Sequence, residues 1–146
     1  MPSRVLVVDD DDEARTIAER FLVGAGYEVV SERRPEDALA RLQKDAGWFA
    51  LVTDKDMPGL TGLELSQRAH QAVPALAVVL MTGFAERLSA GAALEIDAYV
   101  AKPFRSPLEL PAAVQRASEM RAGKVRREEA QRTLEGLQRQ LKPSKS

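Results

Sequence analysis

The 146-residue chain contains no cysteine. This excludes disulfides, thiolate zinc sites and thiol nucleophiles, and gives no sign of an oxidising compartment. Aromatic residues are only 5% of the chain, so its core must be built from Leu, Val, Ile and Ala. No apolar run approaches the roughly 18–20 residues of a membrane span, so no membrane insertion is expected. The start, Met1-Pro2-Ser3-Arg4, runs into a short apolar stretch and then acids, without the apolar region and cleavage site of a signal peptide. A cytoplasmic location is the resulting expectation.

What is present is ordinary for a soluble globular chain: 45% hydrophobic and 29% charged residues, with a net charge of −1. The charge is unevenly placed. Residues 1–119 hold 13 Lys/Arg and 19 Asp/Glu, whereas residues 120–146 hold 8 Lys/Arg and 3 Asp/Glu. A solvated helix end is the first expectation for this basic tail, with a nucleic-acid or acidic-partner contact only weakly supported.

Short apolar runs alternate with amphipathic stretches. Val5–Val8, Tyr27–Val30, Phe49–Val52, Leu76–Met81 and Ala98–Ala101 read as buried strands. Ala14, Ile17, Ala18, Phe21, Leu22 and Ala25 recur at helical spacing, with Asp11, Asp12 and Glu13 at the dipole-favoured start. Pro35 suits the first turn of a second helix that buries Ala38, Leu39 and Leu42. A third helix is expected from Leu63 to Ala72 and a weaker fourth from Ala85 to Leu94. Ser106-Pro107-Leu108-Glu109 has the form of a capping box opening a fifth, with Pro111 making its first turn irregular. The order is strand–helix five times over, which predicts a doubly wound α/β fold with a parallel sheet covered on both faces. Residues 1–120 form the expected domain. Residues 121–146 form a partly helical tail, with a short Leu134, Leu137, Leu141 stripe, interruptions at Gly123 and Gly136, and a frayed end after Pro143.

Polar residues fall at the strand ends: Asp9-Asp10 after the first, Asp54 after the third, Thr82 after the fourth and Lys102 after the fifth. In a parallel sheet these ends share one rim, where such folds bind ligands. Three converging carboxylates repel one another, and a divalent cation removes the repulsion. With oxygen ligands only, the cation should be hard, and Mg²⁺ fits. A metal beside a carboxylate, a lysine and a hydroxyl suits phosphoryl transfer.

Val5-Leu6-Val7-Val8-Asp9-Asp10, Asp54-Lys55-Asp56-Met57-Pro58-Gly59, Met81-Thr82-Gly83 and Tyr99-Val100-Ala101-Lys102-Pro103-Phe104 together resemble the receiver domain of two-component response regulators, over about residues 3–120. The resemblance implies a flavodoxin-like (βα)5 fold with strand order 2-1-3-4-5. It implies that Asp54 accepts a phosphoryl group from a sensor histidine kinase or phosphotransfer protein. Asp9, Asp10 and Asp54, with the backbone carbonyl of Asp56, would bind Mg²⁺. Thr82 and Lys102 would hold the phosphoryl oxygens, Tyr99 would be an aromatic switch, and Pro103 would follow a cis bond. On phosphorylation Thr82 would move toward the phosphoryl group and Tyr99 inward, changing the surface of the fourth helix, fifth strand and fifth helix. The chain is then a switch rather than an enzyme, with only self-phosphorylation from a donor and slow self-dephosphorylation. A homodimer and an unidentified protein target are further partner expectations. Direct DNA binding is not expected, because the tail is too short and interrupted for a helix-turn-helix.

Some positions depart from family habit. Lys55 stands where an apolar residue is commoner and is expected to project into solvent. Ala98 replaces a glycine before Tyr99. Phe84 could shield an acyl phosphate, and Asp56 could affect the attacking water. Two other functions compete. One is a degenerate receiver that binds partners without phosphorylation. The other is a haloacid-dehalogenase-type phosphatase, suggested by Asp54-Lys55-Asp56. In that family the Asp-x-Asp follows the first strand, and Pro58 here replaces the threonine it needs. Among residues without an assigned chemistry, His70 is expected to be solvated and Trp48 to anchor helix–sheet packing.

Overall fold

The computed structural model describes residues 3–83 and 90–141. Its strands are β1 (Arg4–Val8), β2 (Glu28–Glu32), β3 (Ala50–Asp54), β4 (Ala77–Thr82) and β5 (Ala98–Ala101). Alternating with them are helices α1 (Asp12–Gly24), α2 (Pro35–Lys44), α3 (Gly62–Ala72), α4 (Ala90–Glu95) and α5 (Glu109–Leu141). The expected start of the fourth helix, from Ala85, lies outside the described residues. The strands form one parallel sheet in the order β2-β1-β3-β4-β5.

Side chains alternate across the sheet, yet the central strands are apolar on both faces over residues 5–8, 50–52 and 77–81, because helices cover both faces. Val5, Val7, Val52, Val79 and Met81 pack with Ala18 and Leu22 of α1 and Leu110, Val114 and Ala117 of α5. Leu6, Leu51, Val78 and Leu80 pack on the other face with Leu42 of α2 and Leu65 of α3. Trp48 belongs to this second core at 7% exposure, with the Arg4 guanidinium 4.4 Å from its ring centroid.

Local signals set the helix starts. Asp11 caps α1 by accepting from the N–H groups of Glu13 (3.0 Å) and Ala14 (3.4 Å). Pro35 occupies the first turn of α2. Thr61 and Glu64 form a full capping box on α3, which therefore starts at Gly62, one residue before the expected Leu63. The box expected at Ser106 and Glu109 is displaced. Ser106 Oγ accepts from Leu108 N–H at 3.3 Å, and the Glu109 carboxylate accepts from Arg105 N–H at 2.6 Å.

Two expectations are corrected. Gly123 and Gly136 do not interrupt the helical tail: α5 runs from Glu109 through both glycines to Leu141. A helical glycine costs only about 1 kcal/mol relative to alanine, too little to break a helix held elsewhere. This helix is held at Arg121, which is 5% exposed. His70 is not solvated. Its side chain is 9% exposed, Nδ1 meets the Glu95 carboxylate, and Nε2 lies 2.8 Å from the Leu76 carbonyl oxygen. The polar register of α3 alone suggested water; the packing of α4 against α3 supplies a partner instead.

Candidate functional site

The parallel register places the strand ends together. Val8 is opposite Thr53, Asp54 opposite Met81, and Thr82 opposite Ala101. Asp9 and Asp10 therefore follow β1 on the same rim as Asp54, Thr82 and Lys102. Carboxylate oxygens of Asp9, Asp10 and Asp54 all lie within 4.8 Å of one another. Asp9 is fully buried; its Oδ1 accepts from Asp11 N–H at 3.0 Å and its Oδ2 from Lys102 Nζ at 3.0 Å. The same ammonium lies 2.9 Å from Asp54 Oδ1. Lys102 thus bridges a buried and a part-exposed carboxylate, while Asp10 remains open to solvent.

The electrostatics follow from that geometry. Burial raises the Asp54 pKa above the ordinary carboxylate value; the Lys102 bond opposes this and the Asp9 charge adds to it. For Lys102 burial acts to lower the pKa, but the bonds and charges of Asp54 and Asp9 outweigh it and the net shift is upward. Asp12 stands apart from the cluster. Its pKa is lowered by the Arg15 bond and then by the Arg33 charge, with N···O distances of 2.6 and 3.3 Å. The Asp11 cap and these pairings make Asp11 and Asp12 helix-start residues.

Thr82 ends β4 and is 7% exposed. Its carbonyl accepts from Lys102 N–H at 2.8 Å, which ties the ends of β4 and β5 together. The Lys102–Pro103 peptide is cis, as expected. Tyr99 is 37% exposed and lies away from the carboxylates in the middle of β5. Asp56 is exposed in the loop after β3, and Lys55 is only half-exposed, its N–H donating to the Met81 carbonyl at 3.0 Å. Ala98 is 8% exposed at the start of β5. Phe84 lies outside the described residues.

Two contributors escaped the sequence reading. Arg15 donates to the Asp9 carbonyl oxygen at 2.9 Å, holding the turn after β1. Gly62 packs directly under the acceptor loop: a Cβ there would lie 2.4 Å from the Asp54 carbonyl oxygen and 2.7 Å from Leu80 Cδ1. The Thr61-x-x-Glu64 pattern could have located this helix start, but not the close approach. Beside the carboxylates a cavity of about 450 Å³ is lined by Ala14, Ile17, Phe21, Lys102, Pro103 and Phe104.

A model of the response regulator receiver domain matches residues 5–115. The chain belongs to the response-regulator receiver family. The receiver is 37% identical over 82 residues to the response regulator receiver protein CpdR of Brucella abortus, covering 56% of this chain and 68% of that protein. It is 37% identical over 126 residues to the probable transcriptional regulator ycf27 of Porphyra purpurea, covering 84% of this chain and 49% of the other. Against the transcriptional regulator NtrC of Salmonella typhimurium the identity is 36% over 102 residues, covering 68% of this chain but only 22% of that protein. The receiver therefore spans about half or less of these longer relatives. Among solved structures it resembles chemotaxis protein CheY4 of Vibrio cholerae, with a TM-score of 0.72, 26% identity, and 80% and 99% of the two chains covered. It also resembles the receiver domain of hybrid histidine kinase CckA, with a TM-score of 0.66, 28% identity, and 80% and 99% covered.

Receiver domains are signalling switches of two-component systems rather than conventional enzymes, and membership implies a histidine kinase or phosphotransfer partner. They characteristically bind Mg²⁺ in an acidic pocket, and the cluster here fits a hard divalent ion: every candidate side-chain donor is a carboxylate oxygen. Among the described residues, no helix is long and apolar enough to cross a membrane.

Proposed function

We propose that the receiver takes a phosphoryl group onto Asp54 and uses it to change a protein-binding surface. The carrying observation is the Asp54 carboxylate, held 2.9 Å from Lys102 Nζ and close to Asp9 and Asp10 at one rim of the sheet. A carboxylate oxygen attacks the phosphorus of a phosphohistidine, the P–N bond breaks with its electron pair going to the ring, and the imidazole departs neutral because its other nitrogen already carries a proton. Lys102 trades its contact with Asp54 for a phosphoryl oxygen, and Thr82 donates a hydrogen bond to another. The carboxylates of Asp9, Asp10 and Asp54, with the Asp56 carbonyl, would hold Mg²⁺. When bound, the ion neutralises charge shared between acceptor and phosphoryl group. The largely apolar cavity beside Lys102, lined also by Asp11 and Glu13, offers the phosphodonor protein a place to seat next to the acceptor. Residues 1–120 supply this chemistry.

Acetyl phosphate with Mg²⁺ should label the wild-type chain at one site, and Asp54→Asn should abolish the label. Stoichiometric labelling of Asp54→Asn would overturn the acceptor assignment. An unlabelled wild type would favour the phosphorylation-independent binding module, and steady turnover of a phosphomonoester would revive the phosphatase. Lys102→Met should slow labelling by about 10²-fold, the usual cost of removing one charge-stabilising donor. It should keep Mg²⁺-dependent stabilisation, because the carboxylates remain. In the wild type, Mg²⁺ at a hundredfold excess over Kd should add about 2.7 kcal/mol of stability, reversible with EDTA and read by thermal unfolding.

The switch itself is a population shift between two packings. Phosphorylation adds charge and acceptor oxygens at Asp54. Thr82 moves toward them, the half-exposed Tyr99 turns inward, and the α4–β5–α5 surface is repacked for a protein target or a second copy of the chain.

A further inference from the structure

The buried charge that this chemistry leaves unused lies at the opposite end of β4 and β5. Asp97, just before β5, has no side-chain exposure. Its Oδ2 accepts from the Val78 N–H of β4 at 2.9 Å and from Arg121 Nε at 3.0 Å, and its Oδ1 from Lys124 Nζ at 2.7 Å. Both cations come from α5, beyond the residues matched by the family model. They also cap another helix. Arg121 Nη2 donates to the carbonyls of Leu94 and Glu95, each at 3.1 Å. Lys124 Nζ donates to those of Ala93 (2.7 Å) and Ile96 (3.0 Å). The last carbonyls of a helix lack partners within it, and cations suit that negative end. Here α5 provides both for α4, and anchors itself on the carboxylate between α4 and β5.

We infer that this Asp97–Arg121–Lys124 clamp holds α4 and β5 in the resting packing and so sets how readily the switch responds to phosphorylation. The reasoning rests on the proposed role of Asp54. Asp97 is two residues from Tyr99, and it grips β4 through Val78 while Thr82 ends the same strand. At the far end, Lys102 N–H is bonded to the Thr82 carbonyl. Repacking of α4 against β5 must therefore strain or break the clamp. An interaction stronger in one of two states biases the equilibrium toward that state, and its removal releases the other. The clamp is a positioning device: its residues touch neither the acceptor nor its acidic neighbours.

The test uses the full chain and two charge-removing substitutions, Lys124→Gln and Arg121→Gln. Lys124→Gln is the milder, since the Arg121 pair still neutralises Asp97. Amide hydrogen exchange over residues 92–98 should rise tenfold or more in Lys124→Gln, with the amides of β1 and β3 still protected. Unchanged exchange over residues 92–98 in both variants would overturn the clamp. Beryllofluoride with Mg²⁺, titrated by calorimetry, should half-saturate Lys124→Gln at a several-fold lower concentration than wild type. A wild type that binds beryllofluoride with the same midpoint as Lys124→Gln would overturn the regulatory inference, leaving the acceptor assignment intact. A wild type that binds none would overturn that assignment, and the regulatory inference with it, while the exchange result still decides whether the clamp exists. If Arg121→Gln fails to fold, Arg121→Lys replaces it, with an expected midpoint between those of wild type and Lys124→Gln.

Discussion

Replacing Arg121 and Lys124 together by alanine is expected to destabilise the receiver by about 3–5 kcal/mol, the usual cost of leaving a buried charge without its partner. At about 2–4 °C per kcal/mol, the melting temperature should fall by roughly 6–20 °C. The size of the effect comes from Asp97. Its carboxylate is sealed from water, and among the described residues the Val78 N–H is the side-chain partner that remains without the two cations. The carbonyls of α4 are orphaned in the same step. Cutting the chain after residue 120 should be as damaging, even though it removes nothing the family model matches. A double variant as stable as wild type in chemical denaturation would show that Asp97 finds solvent or another partner. Asp97→Asn should also destabilise the fold: its side-chain oxygen can still accept from Val78, but the buried Arg121 guanidinium and the Lys124 ammonium lose their carboxylate.

The second large effect concerns Gly62. Gly62→Ala should destabilise the fold by about 1–3 kcal/mol through overpacking. It should also impair phosphoryl uptake well beyond that loss. The added Cβ would sit 2.4 Å from the Asp54 carbonyl oxygen, and that backbone cannot yield without moving the acceptor. The N–H of Gly62 donates to the Lys55 carbonyl at 2.8 Å, so the chain just after Asp54 is tied directly to the start of α3. Acetyl-phosphate labelling of the folded fraction is the deciding measurement. A folded Gly62→Ala that labels at the wild-type rate would show that α3 shifts as a unit and leaves Asp54 in place. Alanine is a good helix former, so propensity gives no reason for a loss here; the prediction rests on the close approach alone.

Much of the receiver is legible in its sequence. The apolar runs marked the strands within a residue or two, because a strand buried on both faces admits almost no polar side chain. Asp9, Asp54, Thr82 and Lys102 were legible for the complementary reason: they break those runs at their carboxyl ends, where a parallel sheet gathers its ligands. Less was visible where partners are distant. His70 fell on the polar side of α3 and read as solvated, yet Glu95, 25 residues later, covers it. The glycines of α5 read as interruptions, yet Arg121 and Lys124 fasten the helix around one of them.

The order of residues alone determined the alternation of strands and helices, the covered parallel sheet and the chemistry collected at one rim. These follow from local hydrophobic patterning and from the direction all strands share. Tertiary structure decided which charges are buried together: Lys102 between Asp9 and Asp54, and Arg121 and Lys124 around Asp97. It also decided where glycine must stand against backbone. The physical reason is that burial and ion pairing depend on what approaches across the fold, and a charged residue looks the same in sequence whether it meets water or a sealed carboxylate.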